Sequence, residues 1–195
     1  MLSVGIVGLG AIGSVVSQAL DHGIFGMSLT AIASGRLDKA KAHIATLSVP
    51  VNLMTIDEVT ECCDIIVDCA PKFVFRDIAV AALGRGRTLV TVSGAGILAN
   101  EDVEQMAKEN GGQLILATGA LLGLDAVRAA AEGTINSVRM ITRKPPNALA
   151  GAPHIINNGI SLDGLNVAIQ VFKGSAREGA KAFPANVNVA AALGL

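Results

Sequence analysis

The segment Gly8-Leu9-Gly10-Ala11-Ile12-Gly13 constrains this chain more than any other feature. It follows an apolar run, residues 3–7, that reads as a buried strand. It opens a helix over residues 11–20, with Ile12, Val15, Val16 and Ala19 on one apolar face. In that setting each glycine answers a different requirement. Gly8 permits a tight turn, Gly10 lets the backbone touch a pyrophosphate, and Gly13 lets helix and strand pack closely. The N–H groups at the helix start, from Gly10 through Ala11, Ile12 and Gly13, then face phosphate oxygens with the helix dipole behind them. The expectation is a nicotinamide dinucleotide on a Rossmann-type domain; a purely structural glycine turn is the alternative.

The next hundred residues keep the same rhythm. Strand-like runs at 28–33, 51–54, 64–69, 88–92 and 113–117 alternate with helix-like runs at 37–45, 73–83 and 100–109. Short connections between them predict right-handed βαβ units and one parallel sheet. Of the 195 residues, 51% are apolar and only 16% charged, which suits strands covered on both faces. After Thr118 the pattern opens out. A helix is expected at 122–131, strands at 137–143 and 165–173 around a long polar stretch, and a helix at 175–182. A last helix opens at 186–195, capped by Asn186. The fold class expected is therefore α/β: a doubly wound parallel sheet over residues 1–120, then an incomplete α/β substrate and dimerisation domain over 121–195. The last helix is expected to return to the cofactor domain.

Composition excludes several classes of function. A formal net charge of −1 without a basic run leaves no electrostatic footprint for nucleic acid. The apolar stretches are interrupted well short of the about 18 residues a membrane helix needs. No Lys or Arg precedes Arg36, which argues against a secretory signal. Cys62, Cys63 and Cys69 show no metal-ligand spacing and read as reduced, structural thiols of a cytoplasmic protein.

Further site residues follow from the ends of the strands. An NAD-selective site offers Asp or Glu about 20 residues beyond the glycines, to hold the ribose 2′-OH. Here that place reads Ala33-Ser34-Gly35-Arg36, with no carboxylate until Asp38. Ser34 can hydrogen-bond a 2′-phosphate, and Arg36 can pair with it or stack on adenine, so NADP is expected to be accepted alongside NAD. Ala70, in Cys69-Ala70-Pro71 at the end of the fourth strand, falls beside the cofactor, with Cys69 a packing residue. Ser93-Gly94-Ala95-Gly96 is placed on the nicotinamide side, where an ordinary turn is the competing reading. His22 and His43 fall on or just after surface helices, and His154 in a polar stretch expected to be mobile. No triad, metal cluster or carboxylate pair emerges, so hydrolase chemistry has no support and no catalytic residue is assigned.

The second half carries a resemblance. Thr118-Gly119-Ala120-Leu121-Leu122-Gly123-Leu124-Asp125 resembles the SGAIGGLD-like segment of L-aspartate dehydrogenases. Thr142-Arg143-Lys144-Pro145-Pro146 resembles that family's T-x-K-P-P stretch. Gly174-Ser175-Ala176-Arg177-Glu178 with Phe183-Pro184-Ala185-Asn186-Val187-Asn188-Val189-Ala190 is similar to its G-[ST]-A-R … [FY]-P-x-N-x-N-V-A segment. Leu121-Leu122 departs from the family's Ile-Gly and would reshape the pocket. The resemblance implies oxidation of L-aspartate to iminoaspartate with NAD or NADP, the imine then giving oxaloacetate and ammonia or feeding NAD synthesis. It implies a homodimer and cofactor contacts at Ala120 and Asn188, whose amide suits a carboxamide as well as a helix cap. The family's catalytic His is implied about 30 residues beyond Asn188, so the chain shown is expected to lack its base and to be inactive alone. A dicarboxylate substrate needs cations, and Lys144, with Arg143, is the candidate. Rival readings are a homoserine dehydrogenase or dihydrodipicolinate reductase relative, and a non-catalytic dinucleotide-binding module.

Overall fold

The computed structural model of the chain describes residues 1–117, 123–184 and 188–194. The chain divides into two compact units, Met1–Ala117 and Thr118–Leu195. In the first, strands β1 (Leu2–Val7), β2 (Met27–Ala33), β3 (Asn52–Leu53), β4 (Ile65–Asp68), β5 (Thr88–Thr91) and β6 (Gln113–Leu116) alternate with helices. These are α1 (Ala11–Asp21), α2 (Leu37–Ile44), α3 (Ile56–Cys62), α4 (Phe75–Leu83), α5 (Gly94–Ala99) and α6 (Asp102–Asn110). All six strands are parallel, in the order β3-β2-β1-β4-β5-β6. The winding reverses between β1 and β4, and ligands of open α/β sheets bind at that reversal, at the carboxyl ends of the strands. Val7 pairs with Ala33 on one side and Asp68 on the other, and Asp68 pairs with Thr91. Four strand ends therefore stand in line there.

The two-residue period of the strands divides the core between the faces of the sheet. Val4, Ile6, Leu29 and Ile32 join Leu20 of α1 in one cluster. Val7, Ala31, Ile66 and Leu89 turn the other way, onto Val59, Phe75, Ile78, Leu83 and Val103 of α3, α4 and α6. Phe75 is fully buried, and Gly96 of α5 makes room for it.

Two helices of this unit are absent from the sequence expectation. α3 carries a signal that was overlooked, a reciprocal cap in Thr55-x-x-Glu58. Thr55 Oγ1 accepts the Glu58 N–H at 3.3 Å, and the Glu58 carboxylate accepts the Thr55 N–H at 2.8 Å. α5 holds two glycines, which propensity places outside helices; its first five residues are buried, and packing overrides propensity. The expected helix at 73–83 begins instead with a 3₁₀ turn, Lys72–Val74, before α4. The inward face of α1 also differs from the expected one. Gly13, Ser17 and Leu20 are buried, whereas Ile12 and Val15 are 50% and 63% exposed. The tight contact of Gly13 with the Gly8 carbonyl sets that rotation.

The second unit contains α7 (Leu124–Ala131), α8 (Pro153–Asn157), α9 (Ala176–Ala182) and α10 (Asn188–Gly194). Ser175 and Glu178 cap α9 reciprocally, as Thr55 and Glu58 cap α3. Ala152, Ile155 and Phe183 form its small core, with Leu149, Leu162, Val171 and Phe172 packed around them. The strands expected at 137–143 and 165–173 are not formed. Among the described residues, no backbone–backbone hydrogen bond ties 134–144 or 161–174 to a neighbour. A strand has no internal hydrogen bonds, so alternation without a partner does not make one. Leu165, Val167 and Ile169 keep the alternation but are exposed. The expected cap Asn186 lies outside the described residues. Among the described residues, no helix is long and apolar enough to cross a membrane.

A Cβ at Gly96 would sit 2.6 Å from the Phe75 ring. Gly96→Ala should therefore cost about 1–3 kcal/mol of stability, and adding Phe75→Leu should return part of it. Urea unfolding of the two single variants and the double variant measures that coupling; strict additivity would show that the two residues do not crowd each other.

Candidate functional site

The turn after β1 is built by close backbone contacts. Gly8 has φ +95°, a conformation that L side chains rarely adopt. Its N–H donates to the Ala33 carbonyl at 2.8 Å, and the Cys69 N–H donates to the Val7 carbonyl at 2.8 Å. A Cβ on Gly8 would stand 2.5 Å from the Ala70 nitrogen, and one on Gly13 would strike the Gly8 carbonyl oxygen. Gly10 differs from both: a Cβ there would meet nothing within 4 Å. Gly8 and Gly13 are thus required by the protein's own backbone, whereas Gly10 faces open space.

That space lies at the start of α1. Gly10 occupies the N-cap position, no side chain caps the helix, and its first turn holds no acidic residue. The N–H groups of Ala11, Ile12 and Gly13 have no acceptor within the helix, as in any first turn. An uncapped helix start with open space before it fits a pyrophosphate. Ser34 and Arg36 stand at the end of β2, where Ser34 Oγ accepts the Arg36 N–H at 3.2 Å and shapes the turn. Arg36 is exposed at the N-cap of α2.

Ala70 lies on the other side of Gly8. Its N–H donates at 3.0 Å to Oδ1 of Asp68, a wholly buried carboxyl group. Thr91 Oγ1 donates to Asp68 Oδ2 at 2.6 Å and accepts the Ser93 N–H at 2.9 Å. Burial pushes the Asp68 carboxyl above the ordinary carboxylate range, against hydrogen bonds from Thr91, Ala70 and Ser93 that pull it down. Sequence reasoning passed over Asp68; its signal was a charged residue closing the apolar run Ile65-Ile66-Val67. The residues after Ser93 continue as α5 instead of forming an open turn. Burial, then the Asp68 charge, pushes the Cys69 thiol up to about 11, which agrees with a packing role. All three cysteines are free thiols.

In the second unit Lys144 is exposed on an open hollow of about 1320 Å³. Arg139, Arg143 and Lys173 share its lining, and no Asp or Glu appears among the described lining residues. Asn188 is exposed as the first residue of α10. Ala120 lies outside the described residues. The histidines have structural settings. His22 is the C-cap of α1, and His43 Nε2 lies 2.7 Å from Ser17 Oγ. His154 belongs to α8, not to a loose stretch: Nε2 is 3.0 Å from the Val171 carbonyl oxygen, and its ring packs 5.4 Å from both Phe172 and Phe183.

Gly10→Ala should leave thermal stability close to that of the parent and weaken NADH binding about tenfold or more, because the methyl group enters space kept for phosphate. Gly13→Ala should lower both. Melting curves and NADH fluorescence titration separate the two cases; equal NADH affinity for Gly10→Ala and parent would remove Gly10 from the site.

Comparison with known proteins agrees with this division of the chain. A family model described as aspartate dehydrogenase, C-terminal, matches residues 125–195. One described as homoserine dehydrogenase, NAD binding domain, matches residues 8–117. The chain is 48% identical to L-aspartate dehydrogenase of Bradyrhizobium diazoefficiens, over all of this chain and 69% of that protein. It is 40% identical to L-aspartate dehydrogenase 3 of Bordetella bronchiseptica, over all of this chain and 72% of that protein. The crystal structure of aspartate dehydrogenase from Thermotoga maritima has the same fold, with a TM-score of 0.71 at 24% identity over all of this chain and 73% of that one.

Proposed function

The chain belongs to the L-aspartate dehydrogenase family, and on that premise we propose that it oxidises L-aspartate at C2 with NAD or NADP. The observation that carries the reading is the uncapped start of α1, held against the turn after β4 with open space at Gly10. A bound nicotinamide would supply the acceptor for the hydride that leaves C2 as the amine loses a proton. The product is iminoaspartate, and addition of water releases oxaloacetate and ammonia.

The chain's own residues take three tasks in this reading. Gly8, Gly10, Ala11, Ile12 and Gly13 cradle the pyrophosphate, the backbone N–H groups supplying donors that cost no side-chain ordering. Ser34 and Arg36 meet the adenosine half, and the absence of a carboxylate in Ser34-Gly35-Arg36 leaves room for a 2′-phosphate. Ala70, Ala120 and Asn188 are assigned to the cofactor, and residues 1–120 and 121–195 to the cofactor and substrate domains. Lys144 is assigned to a substrate carboxylate, supported by the cationic lining of its hollow. We place the enzyme in the cytoplasm as a homodimer, supplying iminoaspartate to NAD synthesis.

Two substitutions test these assignments in the active protein. Lys144→Ala should raise the KM for aspartate about tenfold or more and leave that for the cofactor within about twofold. A parallel rise in both would remove Lys144 from the substrate site. Arg36→Ala should raise the KM for NADP about tenfold and that for NAD much less. Equal effects on the two cofactors would show that Arg36 does not read the 2′-phosphate.

A further inference from the structure

Beneath the crevice lies a buried carboxyl group that the scheme above leaves without a role. Asp68 ends β4 and is 0% exposed. Its hydrogen-bond partners are neutral: the Thr91 hydroxyl at 2.6 Å on Oδ2, the Ala70 N–H at 3.0 Å on Oδ1, and the Ser93 side chain. Thr91 Oγ1 accepts the Ser93 N–H and donates its own hydrogen to Asp68. Two donors aimed at two oxygens hold a carboxylate anion. Among the described residues no salt bridge engages it. Its charge is met by dipoles alone, in surroundings where electrostatic effects carry further than in water.

Position decides what that charge acts on. Asp68 and Thr91 are paired at the carboxyl ends of β4 and β5, immediately beside the point where the strand order reverses. A dinucleotide crosses such a reversal with one mononucleotide over each half of the sheet. The adenosine half belongs at the end of β2, beside Ser34 and Arg36, which leaves the nicotinamide half over β4 and β5. The nicotinamide ring is positively charged when oxidised and neutral when reduced, whereas the pyrophosphate is the same in both forms. A fixed negative charge beneath that half therefore separates the two forms.

We propose that Asp68 is a positioning residue whose buried carboxylate, held by Thr91 and Ala70, makes the crevice favour the oxidised dinucleotide over the reduced one. The proposal rests on the dinucleotide site described above. It also gives the turn after β4 a second function, because the N–H that faces Asp68 belongs to Ala70, the residue packed against Gly8.

Equilibrium binding of NAD+ and NADH to the 195-residue chain tests it, with the Kd of each form measured for the parent, Asp68→Asn, Thr91→Val and Thr91→Ser. Asp68→Asn should raise the Kd for NAD+ about five- to tenfold more than that for NADH. Thr91→Val should move the ratio the same way, since Oδ2 loses its Thr91 donor and the anion is held less firmly. Thr91→Ser, which keeps the hydroxyl, should retain the parent ratio. If Asp68→Asn does not fold, the two Thr91 variants decide alone. Equal weakening of both forms, or an unmoved ratio, makes Asp68 a structural brace and overturns the proposal while leaving the dinucleotide site intact. A parent chain that binds neither form, nor the NADP pair, overturns the site and the proposal together.

Discussion

The approach of Gly8 to the Ala70 backbone is the contact on which the rest of the site depends. It joins the carboxyl ends of β1 and β4 at the point where the winding of the sheet reverses. No side chain could stand between those two turns, so the crevice is shaped by main-chain atoms. The packing of Gly13 on the Gly8 carbonyl then fixes the distance and rotation of α1. Gly10, Ala11 and Ile12 are left at a helix start that, among the described residues, no side chain caps. The donors at that helix start are backbone N–H groups already held in place.

The same junction explains why a carboxylate can be buried there. Asp68 would be costly in an apolar strand end without donors. Its bonds to Ala70 and Thr91, and that of Ser93 to Thr91, bind the turns after β4 and β5 into one unit. The backbone contact with Gly8 and the bond to Asp68 therefore meet in one residue, Ala70. The second unit is organised differently. Its helices and small aromatic core pack His154, while the cations around Lys144 border an open hollow. Charge distinguishes that hollow, where backbone geometry distinguishes the turn after β1.

Much of this was legible in the order of the residues. The glycine spacing, the alternation of strands and helices to residue 117, and the family segments around Ala120, Lys144 and Asn188 determined the fold class and the kind of ligand. These are local patterns: a turn that tolerates only glycine, and apolar periods that match a strand or a helix. What failed were readings that treat a segment as if its neighbours were known. Ile12 and Val15 have the period of a buried face, yet the Gly13 contact turns them outward. The alternation at 165–173 resembles a strand, yet a strand exists only through hydrogen bonds to another segment. α5 is helical against its composition because its surroundings bury it.

Tertiary structure alone decided which polar residues lie beneath the crevice. The motif assigns Gly8, Gly10 and Gly13 different tasks; in space Gly8 and Gly13 meet protein backbone, and Gly10 meets open space. Asp68 and Thr91 are 23 residues apart and carry no shared signal, yet parallel pairing of β4 and β5 sets them side by side. The sequence by itself thus determined that a dinucleotide crevice forms, because local sterics and periodicity suffice for that. The pairing of Asp68 with Thr91 depended on register between distant strands, and only folding brings those residues together.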